Sequence, residues 1–281
     1  MPPRQNTRRP DAHLPWAWVV SVALVVAACG VTDVGNAPTT DPSPTTTRVP
    51  PPPIPTTTVP SPSTTAEESH EQQAPLVPDL GPHQTLVALA HGELEVYSAP
   101  EGTDVAMTLP ATTILGTPTV LGVVEVTNDG WALVRLPVRP NGSTGWIKFE
   151  SVDFYVVDGR IVVDLSERTL TYYAEGEEIL IAEVAIGSTR NPTPTGEFFI
   201  TDSVELADPN SPWGPHALGL SAYSDTITEY NGGPGIIGIH GTNKPGSIGS
   251  AASLGCVRMP NEAITELYAL VTLGTPVEIR A

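Results

Sequence analysis

The sequence predicts a mainly β chain with one helix, built as two small folded units behind an N-terminal leader and tether. Three observations predict this. Short apolar runs alternate with turn-forming pairs from about residue 83 onward, the pattern of successive hairpins. Only one stretch, near the C-terminus, repeats its apolar residues at helical spacing,. Proline crowds the region before residue 80, including Pro50 to Pro53, and a segment of that kind cannot bury enough apolar surface to offset the entropy lost on ordering,. The chain has 281 residues with 13 basic and 31 acidic side chains, a formal net charge of −18. That balance argues against nucleic acid or an anionic surface as partner, because phosphate binding is driven by Lys and Arg. Two cysteines build neither a multi-bridge scaffold nor a four-thiolate zinc site,.

Residues 1–28 form the expected leader. Arg4, Arg8 and Arg9 precede an apolar run from Trp16 to Ala28, too short to span a bilayer and suited to a secretory signal,. Val26-Ala27-Ala28-Cys29-Gly30 resembles a bacterial lipobox, which implies lipidation of Cys29. The other reading is an ordinary signal cleaved nearby, with Cys29 incidental. The context of Arg8-Arg9 does not support a twin-arginine signal. Removing residues 1–28 takes away three Arg and one Asp and leaves 10 basic against 30 acidic residues, a net charge of −20. Attachment to a membrane would then rest on acyl chains at about 0.8 kcal/mol per buried CH₂ and not on a basic patch. Residues 29–80 read as a Pro/Thr-rich tether. Roughly 50 residues give an end-to-end distance near 40 Å as a coil and at most about 150 Å as polyproline II.

Residues 81–151 make the first β unit. Leu86 to Ala90, Leu94 to Tyr97, Thr119 to Val126, Trp131 to Leu136 and Gly145 to Phe149 read as strands, broken at Pro100-Glu101-Gly102, Asn128-Asp129-Gly130 and Pro140-Asn141-Gly142,. Asn128-Asp129-Gly130-Trp131 followed by Gly145-Trp146-Ile147 resembles a bacterial SH3-like domain. The resemblance implies a small β-barrel that binds cell-wall peptide or positions a catalytic partner; a spacer packed on its neighbour fits equally.

Residues 152–281 make the second unit. Arg160 to Leu165 and Thr169 to Tyr173 form a hairpin about Ser166-Glu167, Ile179 to Ile186 is a further strand, and Phe198 to Thr201 follows. Gly235 to His240 is nearly all apolar and so buried on both faces. Asn261 offers an N-cap to a helix with Ile264, Leu267, Tyr268 and Val271 on one face, which Gly274 and Pro276 stop,. Val277 to Ile279 closes the unit as a strand.

The chemistry-bearing pair is His240 and Cys256, sixteen residues apart. A thiol of pKa near 8.5 is only about 3% thiolate at pH 7, so a nucleophilic Cys needs an adjacent base or a lowered pKa. His240 ends a buried strand, which fixes it. Cys256 lies in a Gly-flanked loop whose backbone N–H groups could face a developing oxyanion. From the residues alone, a core cysteine and a merely hydrogen-bonded histidine stand beside the catalytic reading.

His240-Gly241-Thr242 and Ser253-Leu254-Gly255-Cys256-Val257-Arg258, with fifteen residues between His240 and Cys256, together resemble the L,D-transpeptidase (YkuD-type) catalytic domain. So do the hairpin at Ile161 to Leu170, Gly187 after a strand, Asn191 to Phe198, and Gly214 to Leu220. The resemblance covers about residues 153 to 281. It implies a β-sandwich with one or two short helices, with Cys256 as nucleophile and His240 as general base. It also implies acyl transfer on peptidoglycan stem peptides without cofactor or metal, and covalent inhibition by carbapenems. Backbone N–H groups of Gly255 and Cys256, with Ser253 nearby, would hold the oxyanion. Arg258 would fix the loop or hold a carboxylate, Thr242 and Asn243 would line the pocket, and His216 would lie on the substrate side or at the surface. Where the family usually carries a second His, two residues before the Cys, this chain has Leu254, which removes any polar role there. The implied location is outside the cytoplasm, lipid-anchored and reaching into the wall. Resolution of the same thioester by water or by a protein amine, and a wall-binding lipoprotein without catalysis, are the competing readings. A papain-like peptidase fits worse because its Cys precedes its His.

Overall fold

The computed structural model describes residues 80–230 and 232–281. The leader, Cys29 and the tether up to residue 79 lie outside the described residues. What is described is mainly β: seventeen strands, one α-helix and two short 3₁₀ turns.

The first sheet has seven strands, β1 (Thr85–Ala90), β2 (Leu94–Tyr97), β3 (Val105–Leu109), β4 (Val120–Val126), β5 (Trp131–Arg135), β6 (Thr144–Lys148) and β7 (Val152–Val157), in the order β3-β2-β6-β5-β4-β1-β7. The turn at Asn128-Asp129-Gly130 forms as expected, with Thr127 N–H donating to Trp131 O at 2.8 Å. Two strands were not apparent in the sequence. β3 is largely solvent-exposed and so carries no apolar alternation. β7, read as the start of the second unit, pairs along its whole length with β1 and extends the first sheet to Val157.

The second sheet has eight strands in the order β10-β9-β8-β17-β12-β13-β14-β16. Its members are β8 (Gly159–Asp164), β9 (Thr169–Ala174), β10 (Glu177–Glu183), β12 (Gly196–Glu205), β13 (His216–Tyr223), β14 (Ile236–His240), β16 (Val257–Arg258) and β17 (Pro276–Arg280). β11 (Ile186–Gly187) and β15 (Ala251–Ser253) form a separate parallel pair. In the β8–β9 hairpin, Asp164 Oδ1 accepts from Glu167 N–H at 3.0 Å and from Ser166 Oγ at 2.8 Å, closing the turn. β13 escaped the sequence reading because Gly219 and the small residues Ser221 and Ala222 interrupt its apolar run.

Helix α1 (Asn261–Leu270) buries Ile264 and Leu267 and packs across β13, β10 and β14. Its start corrects one expectation. The cap residue is Pro260, with no side-chain capping bond, and Asn261 Oδ1 instead accepts from Thr242 N–H at 2.8 Å. The helix end is thereby tied to the loop after β14.

The two sheets share β12. Phe198 and Ile200 point into the core of the second sheet, while Phe199, 1% exposed between them, points into the core of the first. Period-two alternation thus feeds two cores from one strand. Thr113 Oγ1 donates to Asp202 Oδ1 at 2.5 Å, and Tyr155 OH donates to Leu273 O at 2.9 Å, adding polar ties across the same junction.

Candidate active site

β14 runs between β13 and β16, and its residues from Ile237 to His240 are buried. Its C-terminal end delivers His240, 5% exposed. The next residue has to be small: a Cβ on Gly241 would meet Asn261 Oδ1 at 2.5 Å and Gly214 Cα at 3.0 Å. His240 Nδ1 lies 2.6 Å from Gly241 O. A carbonyl oxygen only accepts, so Nδ1 carries the proton and Nε2 keeps the lone pair of a base. Burial pushes the His240 pKa down to about 4, and the Arg258 charge pushes the same way against the Gly241 carbonyl. The imidazole is therefore neutral at pH 7.

Cys256 is a half-buried free thiol at the entry to β16. Three bonds shape its loop. Ser253 Oγ donates to Cys256 O at 2.6 Å and accepts from Gly255 N–H at 3.0 Å, and Gly255 O accepts from Thr193 Oγ1 at 2.8 Å. Thr193 Oγ1 in turn accepts from Gly187 N–H at 2.8 Å, so one buried hydroxyl links two loops. Gly255 has φ +124°, and a Cβ there would fall 2.8 Å from Ile237 Cδ1. Burial pushes the Cys256 thiol up, opposed by the Gly238 N–H and the Arg258 charge. The resting pair is a neutral thiol and a neutral imidazole, and the proton moves only as the nucleophile is used.

His240, Ser253, Leu254, Cys256 and Arg258 line one cleft of about 90 Å³ together with Trp213, Ser224, Ile227, Tyr230 and Ile237. Leu254, 48% exposed, presents a hydrocarbon surface at its rim. Arg258 forms no salt bridge among the described residues, so its charge is available to the cleft. Gly255 N–H, expected to face the oxyanion, is taken by Ser253 Oγ, and Ser253 is spent within the loop; the Cys256 N–H has no acceptor among the described residues.

Thr242 and Asn243 do not line the cleft. Thr242 is buried and structural, its N–H on Asn261 Oδ1 and its Oγ1 accepting from Lys244 N–H at 3.0 Å; Asn243 faces solvent. His216 stacks on Tyr268, centroids 4.2 Å apart, and is not a cleft residue. The sequence reading did not single out Trp213, whose ring lies 4.8 Å from that of His240 at 41°. The available signal was a lone aromatic in the loop Ser211-Pro212-Trp213-Gly214-Pro215, since loops carry function when a rigid scaffold positions them,.

A family model described as the L,D-transpeptidase catalytic domain (YkuD) matches residues 158–279. A putative L,D-transpeptidase of Bacillus subtilis is 36% identical over 127 residues, covering 45% of this chain and 69% of the relative. Its counterpart in Bacillus licheniformis is 38% identical over 120 residues, covering 43% and 64%. Among solved structures, a cysteine-to-serine mutant of an Enterococcus faecium L,D-transpeptidase is 26% identical with a TM-score of 0.35, covering 44% of this chain and 50% of that one.

Proposed function

The chain belongs to the YkuD family of L,D-transpeptidase catalytic domains, and from that premise we propose that it forms peptidoglycan cross-links through a Cys256 thioester. The observation that carries the reading is the convergence of His240 and Cys256 on one cleft, with His240 in the tautomer that leaves Nε2 free to accept a proton.

The reaction proceeds in two acyl transfers. His240 Nε2 takes the Sγ proton as sulfur attacks the carbonyl of the L-centre residue of a stem peptide. The tetrahedral oxyanion is held by the Cys256 N–H, a good donor contributing roughly 3 to 4 kcal/mol. The carbon–nitrogen bond breaks, the imidazolium gives its proton to the departing D-amino acid, and a thioester remains. A side-chain amine of a second stem then attacks, His240 removes its proton and returns it to sulfur, and an amide bond replaces the thioester. Both side chains start neutral, so no buried ion pair has to be held before substrate arrives. Arg258 supplies the positive charge beside them and suits a substrate carboxylate.

In this reading the protein is exported, lipidated at Cys29, and carried into the wall by its Pro/Thr-rich tether, with the first β unit acting as an SH3-like module. Incubating the purified protein and C256A with tetrapeptide-stem muropeptides and following products by mass spectrometry tests the reaction. The expected result is cross-linked dimer plus free D-amino acid from the parent protein and neither from C256A. Release of D-amino acid without dimer would assign a carboxypeptidase, and dimer formed by C256A would overturn the thioester. A carbapenem should add its mass to Cys256 of the parent protein alone.

A further inference from the structure

The turn between β5 and β6 contacts the segment that forms one wall of the cleft. From this turn, Arg139 Nη1 donates to Ser224 O at 2.7 Å, and Nη2 donates to Ile227 O at 3.2 Å and Pro234 O at 3.1 Å. Its guanidinium also lies 4.8 Å from the Tyr223 ring centroid. Two residues on, Asn141 bonds both backbone groups of Tyr223: its Nδ2 donates to Tyr223 O at 2.8 Å, and its Oδ1 accepts from Tyr223 N–H at 2.9 Å. Tyr223 OH returns a bond to Pro137 O at 2.7 Å.

The three carbonyls held by Arg139 lie between the end of β13 and the start of β14, in the stretch that supplies Ser224, Ile227, Tyr230 and Gly235 to the cleft. The two arms of this stretch close around the guanidinium: a Cβ on Gly235 would collide with Ile227 O and sit 3.2 Å from Arg139 Nη2. Arg139 has no carboxylate partner among the described residues. Its charge is spent on neutral carbonyls, an arrangement that gains from the fixed fork of a guanidinium and that a single ammonium cannot reproduce.

We propose that Arg139 is a positioning residue for the reaction: it holds the Ser224 and Ile227 wall at the spacing that grips the acyl donor, so that part of the cleft's specificity is set from the first β unit. The proposal rests on the reading of the chain as an L,D-transpeptidase. It separates gripping the substrate, which depends on the wall, from the thiol chemistry of Cys256 and His240, which depends on β14, β16 and the Thr193 link.

The test uses the full chain and the variants R139A, R139K and N141A. Three quantities are measured: KM and kcat for D-amino acid release from a tetrapeptide stem, hydrogen exchange of the amides from Thr226 to Tyr230, and the rate of Cys256 alkylation by iodoacetamide. For R139A, KM should rise by about tenfold while kcat and alkylation stay within about twofold, the pattern of lost ground-state and transition-state binding alike. Exchange should accelerate from Thr226 to Tyr230 and not in β8 or β9. R139K should recover little of the KM, and millimolar ethylguanidinium should restore R139A toward the parent. Unchanged exchange in R139A, or a loss of kcat matched by slowed alkylation and unaffected by ethylguanidinium, would overturn the proposal. If R139A does not fold, R139K and N141A carry the same comparison. If the parent protein releases no D-amino acid, the functional reading fails, and the exchange measurement alone still decides whether Arg139 holds the wall.

Discussion

At the residue scale, the neutral state of His240 and Cys256 is the property that most shapes behaviour. Because burial raises the Cys256 thiol and His240 is held near pKa 4, iodoacetamide should modify Cys256 slowly at pH 7, at a rate still climbing above pH 9. A preformed thiolate–imidazolium pair would instead give a rate already level by about pH 7. The same burial has a stability consequence with a definite sign. The histidine is depressed from 6.5 to about 4 in the folded chain, so between those values the unfolded chain binds more protons and folding weakens as pH falls. The full effect is about 3 kcal/mol, complete below pH 4 and absent above about pH 7. H240Q should remove that component, and urea midpoints of the two proteins at pH 7, 5 and 4 would show the gap between them change. Thr193 is the other residue with a sharp expectation. Thr193→Val keeps the shape but loses the bonds to Gly187 N–H and Gly255 O. It should cost about 1–3 kcal/mol of stability and lower kcat, measured against stem peptide, more than it raises KM.

At the element scale, the Cys256 loop is held by conformation as much as by bonds. Gly255→Ala places a Cβ against Ile237 at a φ that alanine rarely adopts, so the variant should keep the fold, shown by unchanged far-ultraviolet circular dichroism, yet lose at least about tenfold in kcat/KM. The loop also shows what could be read from sequence and what could not. The strand end at His240 and the turn at Gly255 were legible because such signals are local, whereas the pairing of His240 with Cys256 came from the family resemblance and not from the residues alone. Trp213, Thr193 and Arg139 reach the same place from segments 27 to 117 residues upstream of His240 or Cys256; Thr193 lies in a segment that carries the family resemblance, but no local pattern tells which of its residues, or of those around Trp213 and Arg139, the sheet order brings to the cleft. β13 was missed for a related reason. It sits between β12 and β14 and pairs with both, though the register shifts beside Gly219, so tertiary pairing overrides a weak local signal,. Thr242 shows the converse: its place in a recognised motif suggested substrate contact, whereas its backbone is what the fold uses, to receive the end of α1.

At the scale of the whole molecule, the two sheets are joined by the strand that serves both. Phe199 of β12 fills the first core while Phe198 and Ile200 fill the second, so F199A should lower stability by about 3–5 kcal/mol. It should also broaden or split thermal unfolding, because the largest side chain joining the two cores would be gone and Leu273 would be the main apolar contact left between them,; scanning calorimetry of both proteins would show this. The sequence places a boundary near residue 151 and treats the units as successive, whereas β7 continues the first sheet to Val157 and Phe199 of β12 sits in the first core. The sharing bears on how the protein can be cut. A fragment trimmed to residue 158, where the family match begins, would carry β12 with its outer face stripped, placing Phe199 in water beside Leu273. Such a fragment would be a soluble enzyme only with that greasy face redesigned, and one left unaltered would pair with its own copies through it.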